Sequence, residues 1–295
     1  MDRVPATRRL VRRFVAGTTA DSALDVVARV NAQGMAGAVT YLGENVSTIA
    51  QAQAAALVYR DVVEAIAVRG LRALPSLKLT HLGLDISPDA CASNVAQVAE
   101  RCAAAGTRLW IDMESSAYTQ RTLEFHERLH RTRPSTACVV QAALRRTPAD
   151  LEGLVGRGAA LRLCKGAYRE PPDIAYPVKR DVDAAYARLA ERLLQPDAQA
   201  RGVYAGYATH DAAIIERVRA TAAARGVSAD RFEIQMLYGI RHDLHARLRA
   251  AGLRVRVLVP FGEDWWGYFM RRLAERPANL VFLLRNLVRP TAGGI

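Results

Sequence analysis

The sequence has few cysteines and no long apolar run, and each shortage excludes a class of protein. Its four cysteines, Cys91, Cys102, Cys138 and Cys164, form no CxxC pair and have no metal-ligand spacing, so we expect reduced thiols in a cytosolic protein. No run of about 18 apolar residues is present, which argues against a transmembrane helix. Arginines interrupt the apolar residues of the basic N-terminal segment, so we expect no secretory signal.

Several catalytic motifs are also missing. The chain contains no GxSxG elbow and no HExxH zinc helix, and the first predicted strand runs into YLGENV rather than GxGxxG. Too few carboxylates and histidines converge to predict a metal site. Four of the six histidines lie on predicted helices beside arginines, and we interpret them as solvent-facing: His126, His130, His242 and His245.

The chain is rich in alanine and arginine. Its 295 residues are 51% hydrophobic and 24% charged, with a formal net charge of +12. Such a charge permits contact with nucleic acid or an anionic membrane. The arginines are spread along the chain, however, and no basic-aromatic platform or reader motif is present, so we expect no nucleic-acid partner.

Strand-like and helical segments alternate along most of the chain. The strands are predicted at 37–42, 73–80, 108–113, 137–142, 159–166, 203–209, 231–237 and 254–260. The helices are predicted at 47–70, 88–106, 120–132, 148–158, 181–195, 211–226, 240–252 and 265–277. Short strands separated by helices predict parallel pairing. Eight such units in a chain of this length predict an α/β fold, a (β/α)8 TIM barrel, with a doubly wound open sheet as the alternative.

The same pattern predicts how the chain is divided. We expect an N-terminal helical segment over residues 1–36, a catalytic barrel over 37–288 and a flexible tail over 289–295. No linker rich in proline or serine separates them.

Polar residues recur where the predicted strands end, which is where such barrels carry their chemistry. A lone residue of this kind is commonly a cap or a salt-bridge partner, but a series at successive strands predicts a charged pocket. The series comprises Glu44, Lys78, Asp112, Glu114, Gln141, Arg162, Lys165, Thr209, His210, Glu233 and Gln235. Arg162 and Lys165 suit a phosphate or an electron-rich ring. Arg271 and Arg272 suit a carboxylate, and Glu44 is a candidate counter-charge.

Seven segments carry a resemblance to a known family. They read SLKLTHLG, IDMES, VVQA, LRLCKGAYRE, YATHD, QMLYGIR and MRRLAERPAN. Together, and in this order, they resemble the monofunctional bacterial proline dehydrogenases over nearly the whole chain. The resemblance implies a distorted barrel with noncovalently bound FAD. It implies oxidation of L-proline to Δ1-pyrroline-5-carboxylate, the first step of proline catabolism, by hydride transfer from C5 to flavin N5.

The resemblance also implies partners and a location. The electrons pass to a membrane quinone, and a pyrroline-5-carboxylate dehydrogenase takes the product. The protein is then expected to be cytoplasmic, with peripheral contact at the inner face of the cell membrane. The basic N-terminal helix is a candidate for that contact, and a solvated face is the alternative.

The resemblance assigns roles residue by residue. Arg271, Arg272 and Lys78 match the groups that bind the substrate carboxylate, and Glu44 matches the partner of Arg271 in the closed site. Asp112 supports the lysine and the site geometry, and it is placed with Arg162 as catalytic. Tyr168, Ala167 and Leu237 line the proline pocket. The residues that match the FAD-binding set are Met113, Gln141, Arg162, Lys165, Gly166, Ala167, Lys179, Thr209, His210 and Gln235.

Three positions stay open at this point. Arg180 is a rival of Lys179 for the cofactor, and Glu275 matches a motif acid whose role the sequence does not assign. Leu258 stands where family members often have tyrosine, so a relative that oxidises hydroxyproline or another cyclic secondary amino acid is the alternative function. A barrel without turnover is a further alternative. The complete set of Lys78, Asp112 and the paired arginines argues against it.

Overall fold

The computed structural model of the protein describes residues 11–274, and its strands close into a barrel. The eight strands are β1 (Ala36–Tyr41), β2 (Ala73–Leu77), β3 (Leu109–Ile111), β4 (Thr136–Gln141), β5 (Ala160–Cys164), β6 (Tyr204–Ala208), β7 (Phe232–Leu237) and β8 (Val255–Phe261). Consecutive strands pair in parallel, and β8 pairs in parallel with β1, with Val257 opposite Gly37. The predicted barrel is confirmed, and the open-sheet alternative is wrong because the first and last strands are hydrogen-bonded.

Helices follow every strand. In chain order they are α1 (Ala20–Ala32), α2 (Ile49–Val68), α3 (Pro88–Ala104), α4 (Ser116–Thr132), α5 (Thr147–Gly156), α6 (Lys179–Leu193), α7 (Pro196–Ala200), α8 (Ala212–Ala224), α9 (His242–Ala250) and α10 (Trp266–Ala274). Polar caps explain several helix starts. Thr48 and Gln51 form a capping box before α2, and Asp211 caps α8 by accepting from two backbone N–H groups.

Two helices occupy unexpected places. α1, from before the first strand, packs on the outside of the barrel against β1 and β8. α10, which follows β8, instead lies over the carboxyl end of the barrel. Its Arg271 contacts both Glu44, after β1, and Tyr168, after β5. In an eight-stranded barrel those two strands lie on opposite sides. α10 therefore crosses the mouth, and this departure from a regular barrel agrees with the distorted barrel that the resemblance implies.

An apolar cluster holds α10 in that position. Tyr268 and Phe269 of α10 pack with a set of buried residues from both ends of the described chain: Val11, Phe14, Val15, Leu42 and Ile240. The segment before α1 is also tied to β8, because Ala16 N–H donates to the Pro260 carbonyl and Gly262 N–H to the Gly17 carbonyl. The roof of the barrel is thus built jointly by residues 11–17 and α10.

The interpretation of the helical histidines as solvent-facing is wrong for two of them. His126 is fully buried between α4 and β4, with Nε2 3.4 Å from the Thr136 carbonyl oxygen, and His245 is buried on α9. The helical period explains His126, since it lies on the same buried stripe as Thr119 and Thr122. The arginines of α4 take the outer face.

Some predictions fall outside residues 11–274. These are the basic segment before residue 11, the end of the last helix at 277, Glu275, the domain boundary at 288 and the tail. The division of the chain into 1–36, 37–288 and 289–295 stays a prediction. Between residues 11 and 274, no helix is both long and apolar enough to cross a bilayer.

Candidate active site

The predicted site residues gather at the carboxyl ends of the strands, beneath α10. Lys78 directly follows β2, Asp112 directly follows β3, and Glu44 lies in the loop after β1. The loop after β5 carries Lys165 to Tyr168. The barrel topology brings these loops to one rim, which is why residues far apart in the chain share a site.

Glu44 lies between two cations at the mouth. Lys78 Nζ donates to Glu44 Oε2 at 2.7 Å, and Arg271 Nη1 donates to Oε1 at 3.3 Å. Burial alone would raise the pKa of Glu44, but Lys78 and Arg271 outweigh it and hold that pKa below its ordinary value. One ionised carboxylate is therefore bound by cations from two opposite parts of the chain.

The adjacent arginines of α10 have different surroundings. The Arg271 guanidinium carbon lies 5.7 Å from the ring centroid of Tyr168, at the edge of the mouth. Arg272 is buried, and its guanidinium carbon lies 5.2 Å from the Tyr268 ring centroid. Burial raises the pKa of the Tyr168 phenol above its ordinary value, so the hydroxyl keeps its proton at neutral pH. That both arginines grip one substrate carboxylate stays a prediction.

The buried Arg162 and the half-buried Asp112 form an ion pair inside the barrel. Arg162 Nη1 donates to Asp112 Oδ1 at 2.6 Å, and Ser76 Oγ donates to the same oxygen at 2.7 Å. Arg162 Nε donates to Gln235 Oε1 at 2.5 Å. Within the described residues, the hydrogen bonds of Asp112 go to Ser76 and Arg162, whereas Lys78 is bonded to Glu44. The contact that joins Asp112 to the lysine in the prediction is therefore not direct here.

One nitrogen of the Arg162 guanidinium indicates whether the site fits a cofactor. Its Nη2 is buried and has no hydrogen-bond partner among the described residues. Such a donor is costly unless a ligand satisfies it, by roughly 1–3 kcal/mol. In the loop after β5, Gly166 adopts a φ of +121°, and a Cβ there would lie 3.0 Å from that of Ala143. The backbone after β5 can therefore approach a ligand closely, and the donor set fits an electron-rich ring.

A second charged cluster lies beyond Gly166. Lys165 Nζ is 2.5 Å from Asp183 Oδ1 and 3.4 Å from Asp211 Oδ2, and Lys179 donates to the other oxygen of Asp183. Burial alone would raise the pKa of Asp183, but the two lysines lower it below its ordinary value. The rival Arg180 has an 89% exposed side chain and pairs with Asp181. The structure thus places Lys179, and not Arg180, in the cluster with Lys165.

The remaining predicted cofactor residues are tied to neighbouring backbone. Gln141 Nε2 donates to the Glu114 carbonyl oxygen, Thr209 Oγ1 accepts from Asp211 N–H, and His210 Nε2 accepts from Leu237 N–H. Met113 is buried at the end of β3, whereas Ala167 is exposed on the loop. These bonds hold the side chains in place around the mouth.

Two leucines face each other beside the mouth. Leu237 and Leu258 are opposite in the register of β7 and β8, and both are half-buried. Neither carries a polar atom, so they form an apolar wall. Their position agrees with a role in packing against a small ring.

Sequence reasoning missed four residues that contact the polar side chains inside the barrel. Ser76 and Trp110 surround Arg162, and Tyr204 and Arg256 surround Glu233. The strand period offered a signal for one of them. Arg256 lies two residues before Leu258, and residues two apart share a face. A pocket role for Leu258 therefore already placed Arg256 inside the barrel.

Two buried groups near the mouth have shifted pKa values. Burial, and then the charge of Lys78, lower the pKa of His81 to about 4, so its ring is neutral at pH 7. Burial raises the pKa of Glu114, which accepts hydrogen bonds from Thr80 N–H and Oγ. In the described part of the chain, no three His, Cys, Asp or Glu residues are grouped so as to hold a metal ion.

Comparisons with known proteins agree in family and fold. A family model described as proline dehydrogenase matches residues 23–285. The chain is 36% identical to proline dehydrogenase 1 of Bacillus subtilis subsp. natto, over 96% of this chain and 92% of that one. It is 35% identical to the proline dehydrogenase of Deinococcus radiodurans, over 95% and 90%.

A solved structure shares the fold. Proline utilization A (PutA) from Bdellovibrio bacteriovorus, inactivated by N-propargylglycine, superposes with a TM-score of 0.83 at 23% identity. The match covers 91% of this chain and 33% of that longer chain, so this chain spans about a third of it.

Proposed function

The chain belongs to the proline dehydrogenase family of oxidoreductases, and from that premise we propose that it oxidises L-proline to Δ1-pyrroline-5-carboxylate with bound FAD. In this reaction the C5–H bond of proline breaks with its electron pair and the secondary amine loses a proton. A C=N double bond then forms between C5 and the ring nitrogen.

The arrangement around Glu44 carries the proposal. Lys78 and Arg271 reach the two oxygens of one carboxylate at the barrel mouth. A substrate carboxylate can take the same two donors, with Arg272 adding a third. Guanidinium and ammonium groups bind carboxylates through charge-assisted hydrogen bonds, so these residues select an amino acid by its acid group.

The interior residues fit the cofactor. Arg162, through its buried Nη2, Gln141, Gln235 and the Gly166 backbone would hold the isoalloxazine ring. Lys165 and Lys179 would bind the phosphates of FAD. When bound, the flavin would supply, at N5, the acceptor for the hydride of proline C5. The positive charge of Arg162 would favour the reduced ring over the oxidised one, because reduction adds negative charge that a nearby cation stabilises.

Substrate orientation follows from the walls of the site. The carboxylate anchors lie at the mouth, and Leu237 and Leu258 form an apolar wall between β7 and β8. We propose that the proline ring packs on this wall with C5 directed into the barrel. The amine proton then leaves to solvent.

We further propose a membrane quinone as the electron acceptor and a pyrroline-5-carboxylate dehydrogenase as the consumer of the product. Both follow from the resemblance. The net charge of +12 supports peripheral contact with an anionic bilayer surface.

A second substrate is favoured by one observation. Leu258 offers no hydroxyl and no aromatic ring to the pocket, and it is half-buried rather than enclosed. A ring substituent on the substrate therefore meets less steric and polar restriction. Hydroxyproline, or another cyclic secondary amino acid, is the alternative substrate.

The test is the colour of the protein. Protein purified with FAD is expected to be yellow, and anaerobic L-proline is expected to bleach the flavin absorbance. Arg271→Met should lower kcat/KM for proline by about 10- to 100-fold, because one charge-assisted contact is lost. Arg169→Met, on the exposed part of the loop after β5, is the matched control and should retain the wild-type value.

Two outcomes would contradict the proposal. A protein that stays colourless after reconstitution with FAD would refute both substrates. A yellow protein bleached by hydroxyproline but not by proline would replace the first substrate with the second.

A further inference from the structure

A continuous line of polar side chains runs through the barrel interior away from the mouth. It begins with Asp112 and Arg162 and continues through Gln235 to Glu233 and Arg256. Gln235 Nε2 donates to Glu233 Oε1 at 2.6 Å, and Arg256 Nε donates to the same oxygen at 2.6 Å. Buried polar groups need such partners, so the line has a defined geometry.

The chemistry of the line fixes the direction of its central amide. A guanidinium only donates hydrogen bonds and a carboxylate only accepts them, whereas an amide does one at each end. Gln235 therefore turns its oxygen toward Arg162 and its nitrogen toward Glu233. Without a strict acceptor at position 233, the bond from Arg162 alone holds the amide in this orientation.

The orientation of Arg162 depends on that amide. Nε is bonded to Gln235, and Nη1 is bonded to Asp112 and lies 3.3 Å from Ser76 Oγ. Two anchors on different nitrogens fix the rotation of the planar group, and the buried Nη2 is left without a hydrogen-bond partner among the described residues. If the amide turns, the Nε anchor is lost.

Glu233 is itself firmly held. Arg256 forms a second bond to Oε2 at 3.0 Å, and Tyr204 OH donates to Oε2 at 2.9 Å. Burial alone would raise the pKa of Glu233, but Arg256 outweighs it and keeps that pKa below its ordinary value. Arg256 also donates to the Gly37 carbonyl oxygen across the β1–β8 seam.

Strand β6, which lies between β5 and β7, leaves room for the contact between Gln235 and Arg162. Gly206 of β6 is in register with Arg162 on one side and Glu233 on the other. A Cβ on residue 206 would lie 2.4 Å from Gln235 Nε2. A residue without a side chain is therefore required for Gln235 to cross to Arg162.

We propose that Glu233, held by Arg256, is a positioning residue that sets the orientation of Arg162 at the cofactor site through Gln235. The proposal rests on the proposed function, because it concerns the side of Arg162 that would face the flavin. Neither Glu233 nor Arg256 reaches the mouth, so they act only through other residues.

The test compares two changes on one carboxylate. Glu233→Gln removes the strict acceptor, whereas Tyr204→Phe removes a single bond to the oxygen that Gln235 does not use. For Glu233→Gln we expect weaker FAD binding, a lower flavin reduction potential, a shifted flavin absorption band and a fall in kcat/KM of at least about tenfold. A misplacement of about 1 Å can cost roughly 100-fold. Tyr204→Phe should lower the melting temperature but leave the flavin potential and band unchanged.

Several results would overturn the inference. One is that the two variants change the flavin potential and FAD affinity equally. Another is a crystal structure of cofactor-free Glu233→Gln in which Arg162 keeps its orientation. If Glu233→Gln does not fold, Gly206→Ala displaces Gln235 while keeping the Glu233–Arg256 pair. That variant must show the same flavin shifts, and unchanged flavin properties would contradict the proposal. A wild-type protein that proline does not reduce would refute the proposed function instead.

Discussion

At the scale of single residues, Leu258 is where we predict the most direct effect on substrate choice. It faces Leu237 across β7 and β8 and adds only apolar surface to the pocket. Leu258→Tyr would add a ring and a hydroxyl. We expect it to change the ratio of kcat/KM for proline over hydroxyproline by about tenfold, within the 1–3 kcal/mol typical of such contacts. Steady-state kinetics on both substrates, with Leu258→Met as the volume-matched control, measures that ratio.

A ratio that stays at the wild-type value in Leu258→Tyr would show that this wall does not discriminate between ring substituents. The control separates a size effect from a polar one, because methionine conserves volume without adding a hydroxyl.

Residue types at strand ends could be predicted, but their pairings could not. The sequence identified Lys78, Glu44 and the arginines of α10 as neighbours at one rim, and the structure brings Lys78 and Arg271 to Glu44. It did not show that Asp112 would bond Arg162 and Ser76 rather than approach Lys78. Which donor reaches which oxygen depends on strand stagger and loop paths, and no local pattern encodes these.

At the scale of elements, α4 contains a titratable group that ties it to β4. His126 is fully buried, and burial, more than its neighbours His130 and Arg157, lowers its pKa to about 4. The hydrogen bond to the Thr136 carbonyl and, more weakly, Glu127 act in the opposite direction. The folded protein thus keeps the ring neutral at a pH where the unfolded chain, with a pKa near 6.5, is protonated.

The sign of the effect on stability follows. Because the unfolded state binds the additional proton, the free energy of unfolding falls as pH drops from about 6.5 to about 4. The loss is up to about 3 kcal/mol for this group at about 1.4 kcal/mol per pKa unit. His126→Gln should remove that part of the slope. Urea unfolding at several pH values measures it, and His242→Gln, on an exposed histidine, should keep the wild-type slope. An unchanged slope in His126→Gln would contradict the assignment.

Element types were predictable and two placements were not. The hydrophobic period and the capping residues of the sequence located each strand and the start of its following helix to within a few residues. The short α7 was missed because five residues show no period. The position of α10 over the mouth follows from its contacts with Phe14 and Ile240, distant in the chain. A helix pattern specifies which face is apolar, but not which surface covers it.

At the scale of the whole molecule, the residues predicted to bind the cofactor come from five strands or their following loops. A ligand that contacts them all stabilises the closed barrel relative to the unfolded chain. At FAD concentrations 100 times the dissociation constant, we expect about 2.7 kcal/mol of added stability. Thermal unfolding of the FAD-free protein with increasing FAD measures it, and AMP is the matched ligand control. A melting temperature that does not rise with FAD would contradict this assignment of the site.

The overall fold was the most predictable level, because eight repeated units outweigh errors in any one boundary. Closure of the barrel was an inference from their number, and the β1–β8 pairing confirms it. The helix that covers this seam comes from residues 20–32 rather than from the chain after β8. The number of strand–helix units does not reveal that a helix from before β1 takes the place of the one after β8.

The β1–β8 seam has a consequence for how the protein is made active. Three kinds of contact cross it: the strand pairing, the bond from Arg256 to Gly37, and the bond from Arg271 to Glu44. The last two join residues 219 and 227 positions apart. Contacts between residues so far apart in the sequence are expected to form late in folding, because a long loop must close first. We therefore expect the contact between Arg271 and Glu44 to form in the same late step as the closed barrel, so that a partly folded chain lacks the proposed carboxylate site.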